Sequence, residues 1–81
     1  FKIMKTYFYA SYQISFNKAD EASIIKAKSI AQIKRASMNL FDNYAKFDSY
    51  KEAFNYLMLN VTSLGAQLPY EEVRFFDVTD F

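Results

Sequence analysis

An α+β fold is what this sequence predicts, a single small domain with a β-hairpin followed by two helices and a final strand (β-β-α-α-β). Three observations predict it. Residues 4–16 alternate apolar and polar side chains with the period of two that marks a strand. Two capping-box spacings, Ser29 with Gln32 and Ser49 with Glu52, each stand ahead of apolar residues at helical spacing. Gly65 and then Pro69 close the second of these stretches, and a run rich in Val, Phe and Tyr follows. The pivot is residues 23–37, where an extended segment hands over directly to an amphipathic helix.

In the first strand Met4, Phe8, Tyr12, Ile14 and Phe16 share one side, and Lys5, Tyr7, Tyr9, Ser11, Gln13 and Ser15 share the other. The turn-rich segment 17–20 is short enough to close a hairpin, so Glu21 to Lys28 runs back antiparallel. The alternative for residues 21–28 is helix, because Asp20 to Asp42 holds neither Gly nor Pro. Paired Ile24 and Ile25 favour the strand. The first helix is expected to start at Ser29 and to gather Ile30, Ile33, Ser37, Leu40, Phe41 and Tyr44 on one face. Gln32, Arg35, Asn39 and Asp42 then point outward, with Lys34 at the border.

Residues 45–47 read as a frayed helical turn or a short connector. Phe54, Leu57, Met58, Val61 and Leu64 mark the second helix, and Tyr70 to Val78 reads as a strand added to an edge of the hairpin. Met38 and Met58 are read as core fillers. Met4 reads as the natural start, with Phe1 to Ile3 placed ahead of it.

At 81 residues the chain has room for one core, and nine Phe with seven Tyr supply it with large side chains. That is more rings than a small core needs, so some are expected at the surface. With no Cys and no His, disulfides, thiolate and imidazole metal ligands, and the commonest nucleophile and general base are all missing. One Gly cannot build a glycine-rich phosphate loop. Glu71 and Glu72 are neighbours that fall on opposite faces of a strand. With Asp77 and Asp80 they read as a solvated edge that discourages sheet-to-sheet association, not as a catalytic pair. The expectation is a protein that is not an enzyme and uses no cofactor and no metal. No signal-peptide pattern and no apolar run of about 20 residues appears, which predicts a cytoplasmic protein with no membrane contact. Without such a signal, the sequon Asn60-Val61-Thr62 reads as chance.

The net charge of +1 is unevenly spread: residues 18–35 carry a local +3 and residues 71–81 a local −3. Two features stand out as binding candidates. The first is Tyr7 and Tyr9 on the second side of the first strand, rings that would stack on bases unless the second helix covers them. The second is the basic edge of Lys26, Lys28, Lys34 and Arg35, suited to phosphates or to acidic residues of a protein partner. Two or three phosphate contacts give weak, salt-sensitive binding, so any nucleic-acid affinity is expected to be weak.

The passage Ile25-Lys26-Ala27-Lys28-Ser29-Ile30-Ala31-Gln32-Ile33-Lys34-Arg35 resembles the strand-to-helix passage of small phage-encoded anti-CRISPR proteins that inhibit type I-F surveillance complexes. Chain length and a preceding aromatic strand are similar too. The resemblance implies a phage protein for host defence evasion, an inhibitor that docks on a host CRISPR-Cas ribonucleoprotein by protein–protein interaction and obstructs target DNA. It carries over Gln32, Lys34 and Arg35 as contact residues. Asn39 stands where the family has a further basic residue, and residues 47–81 carry no resemblance. Together with the basic edge and the tyrosines, the expected partner-binding set is Lys28, Gln32, Lys34, Arg35, Tyr7 and Tyr9, on a monomer or a homodimer.

Overall fold

The structure, a computed structural model, describes residues 5–13, 21–63 and 73–81. It is an α+β layer of sheet and helices with elements β1 (Tyr7–Gln13), β2 (Glu21–Ala27), α1 (Ile30–Arg35), β3 (Asn43–Phe47), α2 (Tyr50–Ser63) and β4 (Val73–Asp77). The strands form one sheet in the order β3-β1-β2-β4. The expected hairpin is present: β1 and β2 pair antiparallel with Tyr9 opposite Ile25 and Tyr12 opposite Ala22. The last strand joins β2 in parallel, Ile24 beside Phe75 and Ile25 beside Phe76.

β3 corrects the expected order to β-β-α-β-α-β. It pairs antiparallel with the free side of β1, Ala10 opposite Ala45, where a frayed turn or connector was expected. The physical reason lies at Ser37. The long helix expected from Ser29 to Tyr44 stops after six residues because Ser37 takes a left-handed φ of 60°. Met38 N–H donates to Ile33 O at 3.1 Å and Ser37 N–H to Lys34 O at 3.0 Å. These are the paired 6→1 and 5→2 bonds of a Schellman stop, completed by Met38 packing on the cluster that holds Ile33. Such stops favour glycine, which is why serine here gave no warning.

Because side chains alternate along each strand, the sheet has two buried faces. On one, Ala10, Tyr12, Ala22 and Ile24 meet Ala53 and Leu57 of α2, with Phe8, Phe47, Phe54, Tyr56 and Met58 packed around them. Ser49 caps this helix, its hydroxyl accepting from Glu52 N–H at 3.2 Å. On the other face Tyr9, Ile25, Ala27 and Ile33 of α1 enclose Val78, with Met38 and Leu40 against them. The strand β2 is therefore buried on both sides, which accounts for Ile24 and Ile25 standing adjacent. The expected helix stop at Gly65, the sides assigned to Met4, Ile14 and Phe16, and the carboxylates Glu71 and Glu72 lie outside the described residues.

Candidate functional site

The junction from β2 to α1 is organised by Gln32. Ser29 is the N-cap, its backbone extended, and its hydroxyl accepts from Gln32 N–H at 3.2 Å. The Gln32 side chain reaches back past the cap, Oε1 accepting from Lys28 N–H at 2.7 Å. Its Nε2 donates in the opposite direction, to Thr79 O at 3.1 Å and Phe81 O at 3.0 Å. One amide thus joins the end of β2, the start of α1 and the residues after β4. This corrects the outward position expected for Gln32, which is only 2% exposed. With both ends of its amide bonded, it serves the fold and offers nothing to a partner.

That network sets the rotation of α1. Ile33 is fully buried, so at 100° per residue Lys34 and Arg35 turn outward, and both are exposed. No Asp or Glu side chain among the described residues lies within ion-pair distance of either; the side-chain ion pair among those residues is Lys5 to Asp48 at 2.9 Å. Arg35 makes one long contact, Nη2 to Phe81 O at 3.4 Å, and Lys28 is half-buried with its backbone N–H committed to Gln32. Lys34 and Arg35 occupy the last turn, where the carbonyl end of a helix favours cations.

Beside them Ile30, Lys34, Leu40 and Tyr44 rim a shallow cleft of about 200 Å³. Tyr44, 48% exposed, comes from β3 and was not among the expected contact residues. Its strand neighbour on the same face, Lys46, sets its ammonium 4.4 Å from the centre of the Tyr7 ring, and Lys5 stands 5.4 Å from it. The structure therefore brings Lys34 beside Tyr44 at this cleft, with Lys46 next along the same face of β3, while Arg35 turns toward Phe81 after β4. Sequence reasoning missed Tyr44 and Lys46 because residues 43–47 were not read as a strand, although the two alternate with Ala45 and Phe47 as one requires.

The two tyrosines of β1 are placed differently from the expectation. Tyr9 is buried, 5% exposed, beneath α1 and the segment after it, whereas the cover considered for this face was the second helix. Burial raises its phenol pKa above the usual value, helped by the nearby Tyr7 and Tyr44. Tyr7 is half-buried, its ring edge-on to Tyr9 at 6.4 Å. Neither presents an open ring face of the kind single-stranded nucleic acid stacks on.

At the far end of the junction Asp77 Oδ1 accepts from Thr79 Oγ1 at 2.6 Å and Thr79 N–H at 3.0 Å. These bonds, and then the charge of Lys26, hold its carboxyl below the usual range. Among the described residues no group of three or more His, Cys, Asp or Glu is placed to hold a metal. No helix there is long and apolar enough to cross a membrane. No protein-family model matches the chain, and no curated protein or solved structure matches it either.

Proposed function

We propose that this chain is a non-catalytic phage or mobile-element inhibitor. Acting in the cytoplasm of a bacterial host, it docks on a CRISPR effector complex through the Lys34/Arg35 side of α1 and blocks target nucleic-acid access. The observation that carries the reading is that Lys34 and Arg35 are exposed, without Asp or Glu partners among the described residues, and fixed in direction by the buried Gln32 amide. They lie at the strand-to-helix junction that bears the anti-CRISPR resemblance. On the Lys34 flank Tyr44, and Lys46 next along its strand, add an aromatic and a further cation, a mixture suited to a protein or ribonucleoprotein face.

The test is a mobility-shift assay with a purified type I-F surveillance complex and labelled target duplex. Stoichiometric inhibitor is expected to abolish duplex binding, with the titration ending near equivalence because nothing turns over. Undiminished duplex binding in excess inhibitor contradicts the proposal. A second reading, a small nucleic-acid-binding module, is favoured by the Lys5, Tyr7 and Lys46 cluster beside Tyr44. Titration of the protein alone with single- and double-stranded DNA at two salt concentrations separates the two. Phosphate contacts weaken steeply with salt, and the inhibitor is expected to show little affinity at either.

A further inference from the structure

The two outer edges of the sheet are built differently. On β3 the cation Lys46 is exposed, and Asp42 and Asp48 flank the strand, which is how sheets discourage edge pairing. On β4 the residues Phe75 and Phe76 stand 47% and 36% exposed, one on each face. The carboxylate expected to guard this edge, Asp77, is turned back onto Thr79. Val78 N–H donates to Lys26 O at 3.0 Å, which fixes the parity of the strand. Arg74 and Phe76 direct their backbone groups toward β2, and Val73, Phe75 and Asp77 direct theirs outward. Nothing among the described residues pairs with that outward row.

We propose that a second copy of this chain pairs with it, β4 against β4 in antiparallel register about a two-fold axis at Phe75. Of the registers that keep like faces together, this one overlaps the whole strand: Phe75 lies opposite itself, Val73 opposite Asp77, and Arg74 opposite Phe76. All three outward residues then fall at hydrogen-bonded positions. Arg74 and the second copy's Phe76 fall at the closely spaced non-hydrogen-bonded position, where a guanidinium reaches a ring face. On the other side of the sheet Phe75 already packs on Tyr50 at 5.5 Å and on Phe8 at 6.4 Å, so the joint makes one aromatic row from two. Within Val73–Asp77 Arg74 balances Asp77, so the paired strands are themselves neutral, and the repulsion between the −3 charges of residues 71–81 is of the kind that salt screens. The contact is small beside the roughly 800 Å² per partner of a standard interface, so the dimer is weak and reversible.

Sedimentation velocity of the wild-type protein from micromolar to millimolar concentration is expected to show a monomer passing into a dimer. The register is read by cysteine. The chain has none, and hydrogen-bonded antiparallel partners stand about 5.5 Å apart at Cα, within disulfide reach. Under diamide, which takes up the two electrons and two protons released by a pair of thiols, Phe75→Cys is expected to cross-link at least about tenfold faster than Phe76→Cys, whose counterpart is Arg74. Sedimentation as a monomer at every concentration, or equal cross-linking at the two positions, overturns the proposal. No effector complex enters these experiments, so their failure is separate from failure of the proposed function.

Discussion

The two faces of the sheet are covered by unlike means. One is closed by a 14-residue helix whose buried residues, Ala53 and Leu57, lie one turn apart in an apolar and aromatic cluster. The other is closed by six helical residues and an irregular segment, held in place by a buried amide with three hydrogen bonds and by a left-handed serine. The first cover is regular and depends on area. The second depends on a few directed bonds, and it is the one that aims the exposed cations. Stability and orientation are thus divided between the faces.

Truncating each cover separates these roles. Leu57→Ala removes a fully buried side chain from the regular face and is expected to cost about 2–5 kcal/mol in chemical denaturation. That is a large share of the roughly 4–12 kcal/mol usual for a domain of this size. Gln32→Ala is expected to cost less, about 1–3 kcal/mol, by removing the partner of the Lys28 N–H and of the Thr79 carbonyl and leaving Phe81 O with only the long Arg35 contact. Its distinguishing sign is faster amide hydrogen exchange at Lys28 and Val78, with α2 unaffected. Equal losses of protection on both faces would show that the covers are not separable.

Ser37→Gly strengthens the weaker cover. It relieves a left-handed conformation that costs a residue bearing a Cβ about 1–2 kcal/mol, and a rise in melting temperature of a few degrees is expected. A fall in melting temperature would mean that the serine side chain contributes more than its backbone costs.

The smallest effect is alkaline. Tyr9 on one face and Tyr56 on the other have phenols raised above the usual value, in both cases chiefly by burial. A group whose folded pKa lies above its unfolded one adds stability in full below the unfolded value, about 10, and loses it as pH rises through the folded value. Unfolding is therefore expected to become easier above about pH 10, and Tyr9→Phe should blunt the change. Tyrosinate absorbance followed alongside far-ultraviolet circular dichroism measures both.

Much of this division was legible in the sequence. The hairpin, both serine caps, the second helix and the edge position of the last strand follow from alternation, capping spacing and the Val, Phe and Tyr run. The short helix and β3 were not, because a helical stripe from Ile30 to Tyr44 satisfies local periodicity and only the Ser37 backbone breaks it. Within the site, Lys34 and Arg35 stand exposed because Ile33 is anchored; the helical period foretold this for Arg35 and placed Lys34 only at the border of the apolar stripe. Gln32 was misplaced because its partners Thr79 and Phe81 lie more than forty positions away, at |i−j| of 47 and 49, beyond any local pattern. Tyr44 and Lys46 became visible only once β3 paired with β1.

The central claim is that the junction separates orientation from contact, with Gln32 aiming the helix and Lys34 and Arg35 doing the binding. Titration calorimetry of a purified type I-F surveillance complex with wild type, Lys34→Glu/Arg35→Glu and Gln32→Ala, each paired with its own melting curve, tests it most directly. The account predicts that the charge-reversal variant stays folded, melting only a few degrees early because its helix-end cations are lost, and fails to bind, while Gln32→Ala melts earlier and binds more weakly in proportion to its loosened helix. Wild-type affinity in the charge-reversal variant, or an unchanged melting temperature for Gln32→Ala, would contradict it.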